Sequence, residues 1–362
     1  MDPLPAHDAG NSLELRLKNT AASIFVAVAA TTYYCLVPYY TGWMDRLYGP
    51  QAIAFTGYQF MRAAALVYCV ALVLVFMRPG ATGVSKSLRF LRLVRRWLRS
   101  PAENYRAGLD KEDRLALLST LLKFFYGPMM AFALMQFCMN AWVAGLGALD
   151  VAAQDVGFRE LFDRYGFWFL MQFILFFDVL VYTFGYLIES PRLGNQIRSV
   201  DPTLLGWAAA LVCYMPFSFL TTRILGSPRE EFPQFDDPMV HYSMNVLLLV
   251  FLAIYTSASL ALGLKASNLT HRGIVSRGPY AFVRHPAYVC KNAAWWVGAV
   301  PMLSVQFQQS VYQALLTAGA IVAWGAIYVL RALTEEDHLR SVDGEYAEYA
   351  AKVRYRFIPG LI

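Results

Sequence analysis

The sequence predicts an all-α, polytopic membrane helix bundle of about eight transmembrane helices, on three grounds. Of 362 residues, 57% are hydrophobic and only 15% charged, and the mean hydropathy is positive, the composition of a multi-span membrane protein. Apolar runs of roughly 20 residues, enough to cross about 30 Å of hydrocarbon, recur along the chain. Lys and Arg flank those runs unevenly, as they do where topology is set by charge.

In chain order, eight runs read as spans: residues 21–40, 52–77, 121–147, 166–188, 204–221, 242–264, 288–306 and 309–330. Pro216 interrupts the fifth and Pro301 the seventh. Residues 1–20 read as a cytosolic tail, and the first span as an anchor that is not cleaved, because a long mixed-charge stretch precedes it. Residues 21–240 form an N-terminal transmembrane region and residues 241–362 a C-terminal region with its own chemistry. A basic connector, Arg78–Arg114, opens on the loop-like PGATG of Pro79–Gly83 and turns helical over about 85–100. At 100° per residue Arg89, Arg92, Arg95, Arg96 and Arg99 share one face, with Phe90, Leu91, Leu93, Val94, Trp97 and Leu98 opposite. Such a helix lies on the anionic cytosolic leaflet or packs on the bundle.

With eight spans and the N-terminus inside, 24 Lys and Arg residues fall on the cytosolic side and five (Arg46, Arg159, Arg164, Arg223 and Arg229) outside. Both termini are therefore expected in the cytosol, in a bacterial inner membrane or the endoplasmic reticulum. The net charge of +6 reads as topology and contact with membrane lipids; because the basic residues flank spans, nucleic acid is not the expected partner. Cys35, Cys69, Cys138, Cys213 and Cys290 lie in or beside spans and read as packing residues. No His, Cys and carboxylate set has metal-ligand spacing, so no metal is expected. GLGALD at Gly145–Asp150 resembles a nucleotide loop only in letters, since a membrane span and not a strand precedes it. His7, His241 and His338 read as solvated.

The C-terminal region concentrates the chemistry. Gly278-Pro279 is a turn, and Pro286 biases His285 away from the helical region, so a new helix starts at Pro286. His285 falls at its cap, Arg284 adds positive charge, and the free amides of the first turn suit a carboxylate or phosphate. After a helical hairpin, Arg331 and Glu335 lie four residues apart on one helix face, with Glu336 beside them. A glutamate there can receive an ammonium, and the arginine can hold a second anion by a bidentate pair. Tyr280 and Tyr288 offer ring faces to a flat base or a cation. S-adenosylmethionine carries a carboxylate, an ammonium, a flat ring and a cation. The plainer reading makes Arg-His-Pro a topology anchor and Arg331–Glu335 a structural pair.

Residues 273–288 with 331–360 resemble the integral membrane methyltransferases of the isoprenylcysteine carboxyl methyltransferase and phospholipid methyltransferase family. That family's pattern is Leu-Val-x-x-Gly-x-Tyr, Arg-His-Pro-x-Tyr, then Arg-x-x-x-Glu-Glu after a hairpin; here it reads GIVSRGPY, RHPAY and RALTEE. The likeness covers about the last 100–120 residues, and spans one to five have no counterpart in it. It implies a cytosol-facing C-terminal cofactor pocket for S-adenosyl-L-methionine, lined by Arg272, Gly273, Ile274, Val275, Tyr280, His285, Pro286, Ala287, Tyr288 and Glu335. The charges of Arg284 and Glu336 belong to the same expected pocket. Arg331 would face the acceptor as the catalytic residue. The carboxyl methyltransferases carry histidine where this chain has Arg272, with His271 adjacent. The tail RYRFIPG is similar to that of the NADPH-dependent sterol reductases, but those favour Asn at the position of Ala287 and lack the paired glutamates.

Methyl transfer from a sulfonium is an in-line displacement that rests on positioning and electrostatics. A carboxylate acceptor is already ionised and needs no base, whereas an amine must lose a proton and no obvious base lies near the motifs. The expectation is thus carboxyl O-methylation of a lipid or lipidated acceptor entering from the bilayer, with phospholipid amine N-methylation or an NADPH-dependent reductase as alternatives.

Overall fold

The computed structural model describes residues 13–78, 83–154, 156–227 and 229–361. Residues 1–12 of the expected tail, with His7, and residues 79–82 of the PGATG loop lie outside them. The chain is mostly helical and divides into two units, residues 1–136 and 137–362.

In the first unit, α1 (Leu13–Leu36) packs against α2 (Gly57–Phe76) and against the amphipathic α3 (Lys86–Arg99). A short hairpin of β1 (Leu47–Tyr48) and β2 (Phe55–Thr56) precedes α2, which Thr56 and Gln59 cap reciprocally. Buried Asn19 of α1 donates to Gly83 O at 2.9 Å and accepts from Ser85 N at 2.8 Å, which fixes where α3 begins. Ser85 then accepts from Leu88 N as the N-cap of α3. Arg89 and Arg96 both reach Asp113 in the first turn of α4 (Lys111–Ala152), Arg89 Nε at 2.7 Å. Leu93 is buried, while Leu98 is 79% exposed. Part of the basic face is thus used in packing, and Arg92, Arg95 and Arg99 stay exposed. The unit boundary falls inside α4, and GLGALD is helical there.

The second unit begins at Phe137, so residues 137–240 fold with the C-terminal region instead of with the first spans. Its helices are α5 (Phe158–Leu187), α6 (Leu204–Leu211), α7 (Ser218–Leu225), α8 (Pro238–Leu262), α9 (Pro286–Gln309), α10 (Val311–Val342) and the short α11 (Glu345–Lys352). Helix α8 packs between α5 and α9, and α9 packs against α10. Their shared core holds Phe162, Phe167, Met171, Leu248, Leu249, Ala294 and Val297.

Among the described residues six helices are long and apolar enough to cross a membrane: α1, α2, α4, α5, α8 and α10. The chain is a multi-pass membrane protein by that measure. The two proline-marked spans depart from the rest in opposite ways. Around Pro216 the helix breaks into α6 and α7, eight residues each, since proline removes a backbone donor and excludes its predecessor from the helical region. Around Pro301 the helix continues, and α9 runs 24 residues. It is less apolar than the other long helices because it carries Lys291, Asn292, Gln306, Gln308 and Gln309.

The chain after α7 is not a free external loop. Glu230 N donates to Gly298 O of α9 at 3.0 Å, and a Cβ on Gly298 would stand 2.4 Å from Glu230 O. Only glycine admits that approach. Asn245 donates to Pro233 O at 2.9 Å, so the irregular stretch touches both α8 and α9. His241 is 3% exposed and lies 3.1 Å from Asp163. The expectation of a solvated His241 is therefore corrected: a neighbouring helix supplies the acid that its own segment lacks.

Candidate functional site

At the end of the second unit where α10 reaches Val342, three stretches of chain converge. Strand β3 (Ser199–Val200) pairs with β4 (Thr270–His271), with Ser199 opposite His271. Arg284 N and His285 N donate to Tyr355 O and Arg356 O, both at 3.0 Å, so the C-terminal tail pairs with the approach to α9. Tyr346, Tyr349 and Val353 close over Ile274 and Leu339. Between them lies a cavity in which a water centre has about 170 Å³ to move. One buried water needs only about 10–15 Å³ by that measure. The space suits a small organic ligand.

Arg272, Gly273, Ile274, Val275, Tyr280, Arg284, His285, Ala287, Tyr288 and Glu335 all line this cavity. Pro286, Glu336 and Arg331 do not. Gly273 is in the left-handed region, at φ 97°, and so is Leu269 at 61°, a conformation non-glycine residues rarely keep unless the surroundings hold it.

Glu336 has a different task from the one the pairing Glu335-Glu336 suggests. It is fully buried, and Arg340 Nη2 donates to it at 2.7 Å, Arg356 Nε and Nη2 at 3.0 Å each, and His285 Nε2 lies at 3.1 Å. Arg284 Nε lies 3.3 Å away. One carboxylate thus gathers α9, α10 and the tail, and it holds the Arg356 guanidinium above its ordinary value through those hydrogen bonds. The same contacts occupy the charges of Arg284 and His285 that were expected for an anion.

Adjacent residues on a helix point about 100° apart, and Glu335 turns to the cavity. Tyr288 donates to its Oε1. Its Oε2 takes no hydrogen bond among the described residues, and His285 Nδ1 lies 3.9 Å from it. This oxygen is free for a donor. Arg272, also in the lining, is 2% exposed and donates Nη1 to Asn195 O at 2.9 Å, while its Nε and Nη2 are buried with no acceptor. The first amides of α9, at Ala287 and Tyr288, have no intrahelical acceptor by helix geometry. The donors available to an anion are therefore Arg272 and these amides, more than Arg284 or His285.

Arg331 lies behind the Tyr288 ring, which it faces at 5.1 Å. It is 3% exposed, donates Nη2 to Asn268 Oδ1 at 2.9 Å, and stands 3.9 Å from Glu335.

Three residues escaped the motif reading. His338, expected in solvent, is 8% exposed, lines the cavity and lies 3.1 Å from Ser199 Oγ. His271 also lines the cavity, with Nε2 2.7 Å from Asp343 Oδ2. Burial lowers the His271 pKa, and Asp343 opposes that shift, so the ring is neutral at pH 7 and its second nitrogen can accept a proton. Burial pushes the Tyr280 and Tyr349 phenols up, Tyr349 to about 12, so neither is a base at neutral pH. The third is Lys291, a lone charge at the start of the seventh expected span, which α9 holds among aromatic rings. Only the adjacency of His271 to Arg272 hinted at any of them.

No protein-family model matches this chain, and no curated protein matches it.

Proposed function

We propose that this protein is an integral membrane methyltransferase that uses S-adenosylmethionine to methylate the carboxylate of a membrane-embedded lipid or lipidated acceptor. The observation that carries the reading is the cavity lining, which brings together Glu335 with one oxygen free of hydrogen bonds, Arg272 with two nitrogens that have no acceptor, and the Tyr280 and Tyr288 rings. An ammonium, a carboxylate and a flat base each find a complement there. When bound, the cofactor supplies an electrophilic methyl on a sulfonium. Glu335 would take the ammonium, and Arg272 with the first amides of α9 the carboxylate. Arg331 would orient the acceptor from the bilayer side of Tyr288.

Glu335→Ala removes a charge-assisted hydrogen bond of roughly 1.5–3 kcal/mol, so S-adenosylmethionine affinity in a calorimetric titration should fall ten-fold or more. Unchanged affinity would remove Glu335 from the cofactor site.

The His271–Asp343 pair favours a second reading, methylation of a phospholipid amine. A neutral imidazole oriented by a carboxylate is the base such an acceptor requires. His271→Gln should abolish turnover if the acceptor is an amine and leave turnover above half if it is a carboxylate.

The reading includes eight crossings with both termini in the cytosol. Segment 199–245 supports it, since its contacts run from His338 near one end of α10, through Gly298 midway along α9, to Asn245 near the far end of α8. In a cysteine-free background, Arg95→Cys and Lys352→Cys should be labelled by impermeant thiol reagents only after the membrane is opened. Labelling of either in intact cells would reverse the topology.

A further inference from the structure

Lys291 makes no ion pair and no hydrogen bond among the described residues; its ammonium rests over the rings of Tyr255, Trp295 and Tyr328 at 5.6, 5.6 and 5.5 Å. The Arg331 guanidinium faces the same Tyr328 ring at 5.4 Å. Its Nε is buried without an acceptor. The Tyr288–Glu335 hydrogen bond sets a common level on α9 and α10. Lys291 follows Tyr288 by three residues on a helix running into the bundle, and Arg331 precedes Glu335 by four on a helix running out. At about 1.5 Å per residue both residues are rooted roughly 4.5–6 Å deeper than that level, on neighbouring helices.

The nearby acids answer these charges only through space, Asp178 for Lys291 and Glu335 for Arg331, with no contact to the lysine. Asp178 accepts from Tyr255 at 2.7 Å and from Ser259, and Glu335 accepts from Tyr288 and reaches only within 3.9 Å of Arg331. A buried Arg331 and a half-buried Lys291 around one tyrosine, with no carboxylate in contact with the lysine, are costly inside a membrane unless an anion joins them. The ring faces that could cage a quaternary ammonium already hold cations.

We propose that Lys291 and Arg331 form an anion seat inside the membrane, which takes the acid group, carboxylate or phosphate, of an amphiphile lying alongside α9 and α10. As the seat of the methyl acceptor it rests on the methyltransferase reading; as an anion site it does not. It lies directly behind Tyr288, so a headgroup held there abuts the cofactor cavity from the bilayer side. Lys291 is a binding residue in this account and Arg331 is shared between headgroup and reaction.

Binding of oleate, oleyl phosphate and oleamide to the full chain in detergent micelles tests this, with inorganic phosphate as the water-borne anion. At least one of the two acids should bind at one per chain, ten-fold or more tighter than the amide, and which one identifies the headgroup. Lys291→Gln should weaken that acid ten-fold or more, Lys291→Arg should largely retain it, and both should keep S-adenosylmethionine affinity as a check on folding. Oleamide bound as tightly as the acids in the wild type, or undiminished acid binding in Lys291→Gln, would overturn the seat. Inorganic phosphate bound in place of both amphiphiles would overturn its membrane-borne ligand. Lys291-dependent acid binding by a protein that ignores S-adenosylmethionine would leave the seat standing and remove the methyltransferase.

Discussion

Replacing Arg331 by alanine is expected to collapse turnover by about two orders of magnitude or more, while S-adenosylmethionine affinity stays within a few-fold. The guanidinium does not line the cavity; it is packed behind Tyr288 and bonded to Asn268, whose amide donates in turn to Tyr186 at 2.9 Å and Tyr214 at 3.2 Å. That brace holds the planar group in one orientation, which is what aiming an acceptor demands. Lysine should rescue poorly, because a point charge cannot keep the Asn268 bond and also offer a fork to a carboxylate. Single-turnover assays at saturating cofactor separate the two effects. An alanine variant that loses cofactor affinity and keeps turnover would move Arg331 into the cofactor site.

Glu336→Gln is expected to destabilise the fold by about 3 kcal/mol, the usual cost of leaving a buried charge uncompensated. Removing the charge strands Arg284, which is 10% exposed, whereas Arg340 and Arg356, at 44% and 29%, can turn toward water. The loss is therefore weighted toward Arg284 and toward release of the tail that Arg356 ties down. Thermal unfolding should begin several degrees lower, and trypsin should cut at Arg354 and Arg356 faster than in the wild type. A variant with unchanged melting and unchanged cleavage would show that Glu336 is not the clamp.

The two predictions turn on a distinction that a motif does not carry. Glu335 and Glu336 are equivalent letters in RALTEE, and only the packing of α9 and the tail decides which faces the cavity. Apolar run length is enough to read the six long apolar helices among the described residues, since it follows from local composition. Pro216 and Pro301 read alike, yet one breaks its helix and the other does not, because the segment around Pro216 gives way to an irregular stretch while α9 is held along its length by α8 and α10. The surroundings of Lys291 could not be read locally, because its ring partners Tyr255 and Tyr328 are 36 and 37 residues away in sequence. His271 and His338 were similarly opaque, since Asp343 and Ser199 reach them from distant segments.

Titration of the purified wild-type protein with S-adenosylmethionine and with NADPH, by calorimetry, bears most directly on the whole account. The account predicts one saturable site for S-adenosylmethionine that Glu335→Ala weakens ten-fold or more, and no heat from NADPH. Saturable NADPH binding with none for S-adenosylmethionine would contradict it.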